Sequence, residues 1–573
     1  MERQKEYELR NKLFTEINRD VESVFEEQFK LIKNNFALEI LFPLSVLEYN
    51  YQKKSDEAIA MGLFDNNENL ILVNPLREAI FWYIKKIIQS ERKMTYSYQF
   101  EFPKEEGFDY PFVEFVLRLH DEYRRGEQIR EIRESSSKVK LQDEGNDTYS
   151  FYFPVIEEEY QKEMLYYYGL DDNLASKEER EIFTKCEMYL MNKIDALDLP
   201  DNPRKIYIYF NILNNMSSKV DITYFELCKR RIMSDLNKIS TTSLESENRK
   251  KGIKVINSKD ELARFLSLFY YLSRLCMQKY MLVTGTGIGK REYVCQYDIS
   301  RLIALGKQVG ISKESMLNYI DYFSLDENVS GGNFTEFPFI RVKEKIIWIP
   351  SSIALNDFQF SIVNGHYYKD ISFLRKDETV SQSIVDYVIN HCKKYSNLVF
   401  SSNYNYHVVG TMFHGKDLKS DIDAAIFDKN SNKLLIIECK WKENVYPNKE
   451  NYIHIEDAFR KVYSNQLEKH QFYLEMNSNH ISEVFAGNID FSKVNDLDIL
   501  YLFVDKRIQF HDNEKNRHAI SMFMLAYLFD KNSIDGILDL GRVFSEIRKM
   551  SSKVKYERVK LREPVRIGDI TVI

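Results

Sequence analysis

Four charged side chains stand among apolar residues in the stretch SDIDAAIFDKNSNKLLIIECKWK, residues 420–442. The polar centre DKNSNK is typical of a turn, so the apolar runs on either side of it are predicted to form two antiparallel strands. Carboxylates and an amine at such positions are the groups that bind a metal ion or move a proton. The four residues are Asp421, Asp423, Glu438 and Lys440.

Symmetric pairing about the turn places Asp423 opposite Glu438 and Asp421 opposite Lys440. Directly opposed residues have Cβ atoms about 4.5–5.5 Å apart, and like charges at that distance are destabilising. Both faces of the strand pair are otherwise apolar, which predicts burial on both sides. Two buried carboxylates that face each other need a cation or a proton between them. A Mg²⁺ ion, which favours one or two carboxylates with water and substrate phosphate, would resolve the repulsion.

Lys440 follows Glu438 by two residues, so the two side chains point to the same face of the strand. The Lys440 ammonium could orient or deprotonate a water molecule, or stabilise the charge of a pentacovalent phosphorane. A simpler arrangement also fits, in which Asp421 and Lys440 form an ion pair at a solvated edge and the other two carboxylates are exposed. A shift of register would make Asp421 a metal ligand instead.

The pattern Asp423-(x14)-Glu438-Cys439-Lys440, with its two strands, resembles the PD-(D/E)xK phosphodiesterase superfamily, whose fold is that of restriction endonucleases. The resemblance implies that Asp423 and Glu438 bind Mg²⁺, with Mn²⁺ as a substitute. It also implies that Cys439 offers its backbone carbonyl to the metal and that Lys440 is catalytic. The chain departs from the family pattern at Ile422, where proline is common. The resemblance is close around the hairpin and loose over residues 340–573.

Two flanking helices carry further candidates, because the family often places an acidic residue or a glutamine there. Glu378 and Gln382 lie at the start of a predicted helix, residues 379–393, as an extra ligand or as a helix cap on a solvated face. Gln466 lies in a second predicted helix, residues 455–476, as a contact to phosphate or water or as a partner of nearby backbone. The stripe that carries it consists of Phe459, Val462, Gln466, His470 and Tyr473.

Basic residues near the hairpin and in a tail that begins at Arg548 could hold a phosphate backbone. Such contacts give affinity and salt sensitivity without reading sequence. A solvated strand pair is the alternative for the tail. The candidates for nucleic-acid binding are Lys416, Lys419, Lys442, Arg558, Lys560 and Arg562.

The whole chain has 573 residues, a formal net charge of −7 and six cysteines, none of them at CxxC spacing. The length predicts two to four domains. The net charge requires that any nucleic acid is held by local basic patches. The scattered cysteines argue against a zinc ribbon or a disulfide framework and predict a cytoplasmic protein. No apolar run approaches the roughly 18–20 residues of a membrane span, so no membrane partner is expected.

These patterns predict a multidomain α+α/β protein. A helical N-terminal region, residues 1–150, and a helical middle domain for sensing, docking or oligomerisation, residues 151–330, precede a restriction-endonuclease-like α/β domain, residues 331–573. The last domain is expected to hold a mixed central sheet flanked by helices. The glycine-rich stretch 284–292 lacks the first glycine and the hydroxyl residue of a phosphate-binding loop, which indicates a turn instead.

The sequence therefore favours a Mg²⁺-dependent endonuclease that cuts double-stranded DNA. A role in bacterial defence against phage or foreign DNA is an analogy of architecture alone. Cutting both strands usually needs two active sites, which predicts a homo-oligomer or a partner subunit. Two alternatives remain: an RNA or branched-junction nuclease with the same site, and a non-catalytic scaffold of the same fold that binds nucleic acid.

Overall fold

The computed structural model describes most of the chain beyond residue 139 and only scattered residues before it. The main described ranges are 140–155, 177–195, 203–240, 243–283, 294–375 (without 328, 330, 331 and 357), 380–441, 462–505, 516–552, 555–558 and 564–573 (without 568). The chain divides into two compact units. Unit 1 comprises residues 1–130, 173–375 and 565–570, and unit 2 comprises residues 131–172, 376–564 and 571–573.

Helices and strands alternate irregularly along the chain. The helices are α1 Lys177–Asp195, α2 Pro203–Ser218, α3 Ile222–Asn237, α4 Lys259–Val283, α5 Ile299–Gln308, α6 Lys313–Phe323, α7 Ser351–Ala354, α8 Phe358–Tyr368, α9 Gln382–Cys392, α10 Glu468–Met476, α11 Ser478–Val484, α12 Met522–Lys531 and α13 Leu540–Ser552. A π-helical segment, Val462–Leu467, precedes α10, and a 3-10 turn, Phe491–Lys493, follows α11.

The strands are β1 Lys140–Gly145, β2 Thr148–Val155, β3 Ser246–Asn248, β4 Ile253–Ile256, β5 Cys295–Asp298, β6 Ile340–Val342, β7 Lys345–Trp348, β8 Ser372–Phe373, β9 Leu398–Phe413, β10 Lys416–Asp428, β11 Lys433–Lys440, β12 Asp498–Asp505, β13 Asp512–Glu514, β14 Arg517–Ser521, β15 Ser533–Ile534, β16 Ile537–Leu538, β17 Lys555–Arg558, β18 Val565–Ile567 and β19 Ile570–Val572.

Unit 1 is built around the long helix α4, which packs against α2, α3 and α5 to α7. Helix α4 is apolar on most of its surface, so neighbours must cover it on several sides. The buried rings of Phe269 and Trp348 meet at 5.0 Å, and the indole N–H of Trp348 donates to the Ser273 hydroxyl at 2.9 Å. The β6–β7 hairpin is thereby anchored to α4.

The hairpin just after residue 334 consists of β6 and β7, and it belongs to unit 1 although the sequence assigns residues 331–573 to the last domain. Strand β7 pairs with β5, with Cys295 opposite Trp348. The division before unit 2 therefore falls at residue 375, after this hairpin, whereas the sequence placed the boundary before it. The backbone hydrogen bonds from β7 to β5 hold the hairpin in the helical unit.

Parts of the N-terminal predictions can be compared with the structure. The described residues among 77–88 are helical, and Ile80, Ile84 and Ile87 are buried, as their spacing predicts. One division between the two units falls between residues 130 and 131, and residues 140–155 beyond it form the hairpin β1–β2. Asn146 and Asp147 adopt positive φ angles of 54° and 53° in its turn, a conformation that these residue types tolerate. Residues 156–176 and 284–293 lie outside the described residues.

Unit 2 contains the mixed sheet that the sequence predicts. Its strand order is β13-β14-β12-β11-β10-β9. Strands β9, β10 and β11 form an antiparallel meander, whereas β12 runs parallel to both β11 and β14. Helix α9 packs against β9, β10 and β11. The segment Val462–Leu467 packs against β11 and β12, and α10 against β10.

The register of the β10–β11 hairpin is the one predicted from its sequence. Phe427 lies opposite Leu434, and Ala424 lies opposite Ile437. The strands end and begin at the two ends of the predicted turn, Asp428 and Lys433. The apolar residues on both faces of the pair are buried, which confirms that this hairpin lies inside the unit. No helix among the described residues is both long and apolar enough to cross a membrane.

Asp428 fixes the end of this hairpin. Its buried carboxylate accepts hydrogen bonds from the Asn397 amide at 2.7 Å, the Asn430 backbone at 2.9 Å and the Ser431 hydroxyl at 2.5 Å. The Leu540 backbone N–H donates to it at 3.4 Å, which ties α13 to the turn. The carboxylate therefore accepts from groups of three separate segments.

We expect Asp428→Asn to lower the free energy of unfolding by about 2 kcal/mol. The variant replaces one carboxylate oxygen with an NH2 group, which cannot accept the hydrogen bonds that the surrounding N–H and O–H groups donate. Urea denaturation monitored by circular dichroism measures the loss. Asp417→Asn, an exposed position on the same strand, is the matched control and should unfold as the wild type does. Equal stability of Asp428→Asn and the control would contradict the role of Asp428.

Candidate functional site

The candidate site lies where β10 and β11 stop pairing. Regular pairing ends at Ala424 and Ile437. One residue further, the carboxylate of Asp423 reaches across and accepts a hydrogen bond from the Cys439 backbone N–H at 2.7 Å. The Asp423 residue is only 7% exposed and Glu438 only 1%. Both predicted acidic residues are therefore buried. The Asp423 carboxylate also accepts, in place of a backbone carbonyl, a hydrogen bond from the backbone of the neighbouring strand.

Lys440 places a positive charge between the two carboxylates. Its Nζ lies 2.5 Å from Oε1 of Glu438 and 3.8 Å from Oδ2 of Asp423. Asp421 is exposed, and its backbone pairs with Asn405 on β9. Among the described residues, the ion pairs of Lys440 are with Asp423 and Glu438, so the alternative cross-strand pair with Asp421 is not formed.

A histidine and a tyrosine complete the surroundings of Glu438. The buried ring of His470, on α10, places Nε2 at 3.1 Å from Oε2 of Glu438. An ionised carboxylate can only accept, so Nε2 carries the proton and donates. The hydroxyl of Tyr406, on β9, lies 2.9 Å from Nδ1 of His470. The Tyr406 ring also stacks on that of Tyr473, with centroids 3.9 Å apart. Together these contacts fix the orientation of Glu438.

The sequence did not identify His470 and Tyr406 as site residues. His470 stands on the same predicted stripe as Gln466, one turn away, and an imidazole on an apolar stripe was the signal that could have found it. The structure places Gln466 half-buried in the π-helical segment. Tyr406 carried no comparable signal, because nothing in β9 distinguishes it from the neighbouring tyrosine, Tyr404.

The three charged groups differ in the direction of their pKa shifts. Burial, together with the charge of Glu438, raises the pKa of Asp423 to about 7. Burial also opposes ionisation of Glu438, but the His470 hydrogen bond and the charge of Lys440 outweigh it and lower the pKa of Glu438. The pKa of Lys440 is raised, because the two carboxylates outweigh the effect of its burial. Glu438 and Lys440 are therefore charged at neutral pH, whereas Asp423 titrates there.

The donor set fits a hard divalent cation. Oε1 of Glu438 is buried, and the charge that it faces among the described residues is the Lys440 ammonium at 2.5 Å, a position that a metal ion would share or take over. Among these residues no group of three or more His, Cys, Asp and Glu side chains is arranged to hold a metal ion. Two carboxylates nevertheless match what Mg²⁺ takes from a protein when water and phosphate supply the other oxygens.

The other residues predicted as extra ligands or nucleic-acid contacts do not gather around Asp423, Glu438 and Lys440 in the described part of the chain. Gln382 donates to Asp386 of its own helix at 2.7 Å, which agrees with the alternative of a helix-surface role. Arg548 makes two hydrogen bonds to the Asp498 carboxylate at 2.8 and 3.0 Å, so its guanidinium serves the fold rather than a phosphate. Exposed positions are Lys416, Lys419 and Arg558, and positions outside the described residues are Glu378, Lys442, Lys560 and Arg562.

His470→Ala is expected to weaken Mn²⁺ binding by about 10–100-fold, the usual effect of losing a residue that orients a metal ligand. Tyr406→Phe should have a smaller effect of the same sign, because the ring and its stacking remain. Isothermal titration of the folded variants with Mn²⁺ measures both effects. His407→Ala, an exposed neighbour of Tyr406, is the control and should bind as the wild type does. Wild-type affinity in His470→Ala would show that His470 does not support Glu438.

Comparison with known proteins gives no relative from which a function could be transferred. No protein-family model matches the chain, and neither a curated protein nor a solved structure matches it.

Proposed function

We propose that this chain is a Mg²⁺-dependent nuclease of the PD-(D/E)xK type that hydrolyses phosphodiester bonds in DNA. The observation that carries the proposal is the position of Asp423, Glu438 and Lys440. Two buried carboxylates meet a partly exposed ammonium at the point where two strands diverge. Burying two carboxylates side by side costs stability, which a site with no chemistry to perform would not require.

The order of elements around the site supports the same proposal. Helix α9 is followed by the antiparallel meander β9–β11, by the helical segment that includes α10, and then by β12, parallel to β11. This is the order expected of a restriction-endonuclease-like domain, with helices beside a mixed sheet. The acidic residues lie on β10 and β11, two adjacent inner strands of the sheet.

Each residue has a distinct task in the proposed reaction. Asp423 and Glu438 would hold the Mg²⁺ ion, and the resemblance adds the carbonyl of Cys439. When bound, the ion supplies charge neutralisation and lowers the pKa of a bound water. Lys440 is close enough to Glu438 to orient the attacking water, and its ammonium offsets the negative charge that develops on the phosphorus oxygens. His470 and Tyr406 keep Glu438 in place.

DNA is the proposed substrate, and Lys419 supports a nucleic acid, because it is exposed on the strand that carries Asp423. The proposal extends to a second subunit for cutting both strands and to a role in defence, which rests on architecture alone. The second candidate, an RNA or branched-junction nuclease, uses the same site. The scaffold alternative is less favoured, because it leaves the two buried carboxylates and the lysine beside them without a use.

The experiment is a cleavage assay of the purified full chain. Supercoiled DNA, linear DNA, single-stranded DNA, a four-way junction and RNA are each incubated with Mg²⁺, with Mn²⁺ and with EDTA. We expect Mg²⁺-dependent cleavage of double-stranded DNA that EDTA abolishes. Cleavage confined to RNA or to the junction would select the second candidate. Binding without cleavage of any substrate in either metal would select the scaffold.

A further inference from the structure

Unit 1 holds a cavity of about 370 Å³ that neither the sequence nor the proposed nuclease site accounts for. The end of α2, the middle of α4, strand β5 and the start of α5 form its walls. No acidic side chain lines it among the residues that the structure describes, although acidic residues outnumber basic ones in the chain as a whole. The polar residues that matter are Asn214, Ser217, Ser218, Lys279, Tyr297 and Arg301.

Lys279 is a buried cation that pairs with no carboxylate in the described part of the chain. The residue is 9% exposed, and its Nζ lies 3.2 Å from the Ser217 hydroxyl and 5.8 Å from the centre of the Phe210 ring. It forms no salt bridge with any residue that the structure describes. A buried ammonium is costly unless an opposite charge compensates it. The cavity beside it is the place where an anion could do so.

Arg301 presents a second cation to the same cavity. Its guanidinium lies 5.2 Å above the Tyr297 ring, which stacks on Trp348 with centroids 5.4 Å apart. Nη2 donates to the Ser217 carbonyl at 3.3 Å and to the Ser218 hydroxyl at 3.1 Å. Among the described residues, both hydrogen bonds of Arg301 come from Nη2. The Nη1 and Nε groups of a guanidinium that is already held in place can each donate a charge-assisted hydrogen bond to a phosphate oxygen.

Helix capping explains only part of this arrangement. Ser217 and Ser218 are the last residues of α2, and one cation near a helix C-terminus is stabilising. Nη2 of Arg301 fulfils that role through the Ser217 carbonyl. The hydrogen bond that Lys279 makes among the described residues goes to the Ser217 hydroxyl and not to a carbonyl of the helix end. Capping of α2 therefore does not account for this second and more deeply buried charge.

We propose that this cavity binds a phosphate-bearing small molecule of nucleotide size, with Lys279 and Arg301 as the phosphate contacts. The volume lies at the lower end of the roughly 300–1,000 Å³ of ligand pockets. The Asn214 amide, which also lines the cavity, can supply a further hydrogen-bond donor. The inference does not depend on the nuclease site, because every residue that carries it belongs to unit 1.

The test is a titration of the full chain with inorganic phosphate, AMP and ATP, with adenosine as the uncharged comparison. Isothermal titration and thermal unfolding are measured in parallel. We expect saturable binding and a raised unfolding temperature with at least one of the three phosphate compounds and no binding of adenosine. Arg301→Ala and Lys279→Met should each weaken binding at least tenfold. Arg301 is exposed, so its variant keeps the test decisive if Lys279→Met fails to fold.

Lys307→Ala is the matched control, because Lys307 is exposed on the same helix as Arg301 and does not line the cavity. It should bind as the wild type does. The proposal is overturned if the wild type binds none of the three phosphate compounds. It is equally overturned if Arg301→Ala lowers the unfolding temperature but binds as tightly as wild type, since that result means a capping role only.

Discussion

Lys440→Ala is expected to reduce Mg²⁺-dependent hydrolysis by about 10²–10³-fold, the usual effect of removing one group that stabilises a developing negative charge. The ammonium lies 2.5 Å from Glu438 and 3.8 Å from Asp423, so it is placed beside both proposed metal ligands. Initial rates of cleavage at saturating Mg²⁺, on whichever substrate the wild type cuts, measure the effect.

Lys440→Ala should also lower the stability of the protein in the absence of metal. Removing the lysine leaves two buried carboxylates without their cation, which costs about 3–5 kcal/mol when one partner of a buried pair is lost. Part of this loss is avoided if Asp423 takes up a proton, and Mg²⁺ should restore part of it. Circular dichroism and thermal unfolding with and without Mg²⁺ therefore accompany the rate measurements.

Two variants make the result specific. Lys429→Ala removes an exposed lysine from the turn of the same hairpin and should cleave at the wild-type rate. Lys440→Arg keeps the charge and should fold more stably than Lys440→Ala, but the wider guanidinium should not restore the full rate. Cleavage by folded Lys440→Ala at the wild-type rate would refute the assignment of Lys440.

The hairpin could be predicted because its information is local. Alternation with period two fixed which residues share a face, and a symmetric polar turn fixed the register from Phe427–Leu434 onward. The approach of Asp423 and Glu438 then followed from counting. The hydrogen bond from the Cys439 backbone N–H to Asp423 could not be predicted in this way, because counting residues cannot show that a side chain accepts the hydrogen bond in place of a backbone carbonyl.

Contacts between distant segments could not be read in the same way. His470 meets Glu438 only because the helical segment after β11 returns across the face of the sheet, and a stripe cannot tell which of its members faces a strand. The boundary between the units has the same origin. The β6–β7 hairpin looks like the start of an α/β domain, but its partner β5 lies earlier in the chain. A change in composition along the chain shows where helical patterns give way to strand patterns, but it does not show which strands pair.

Without metal, the free energy of unfolding of the wild type is expected to fall as pH rises toward about 7, and Asp423→Asn is expected to remove this fall. The pKa of Asp423 is raised to about 7, mainly by burial and then by the charge of Glu438, whereas an aspartate in the unfolded chain has a pKa of about 3.9. Between these values the native state holds a proton that the unfolded state has released. The free energy of unfolding therefore falls as pH rises, by about 1.4 kcal/mol per pH unit.

The stabilisation that the Asp423 proton provides is thus fully present below the pKa of Asp423 in the unfolded chain. It is lost as pH rises to the pKa of Asp423 in the folded protein. Urea denaturation in EDTA at several pH values between about 5 and 8 measures it. The wild type should lose stability relative to Asp423→Asn over this window, until the difference levels off above pH of about 7. Asp417→Asn, exposed on the same strand, should follow the wild type. Parallel pH profiles of the wild type and Asp423→Asn would contradict the raised pKa of Asp423.

Adding Mn²⁺ should reverse the sign of this dependence. A metal ion binds the ionised carboxylate, so its stabilisation of the wild type should grow as Asp423 loses its proton, and Asp423→Asn should lose most of it. The loss of Mn²⁺ affinity should exceed the 10–100-fold or so expected for His470→Ala, because Asp423 is the proposed ligand itself and His470 only orients Glu438. Equal Mn²⁺ stabilisation of wild type and Asp423→Asn would remove Asp423 from the metal site, and equal losses in Asp423→Asn and His470→Ala would make its role a positioning one.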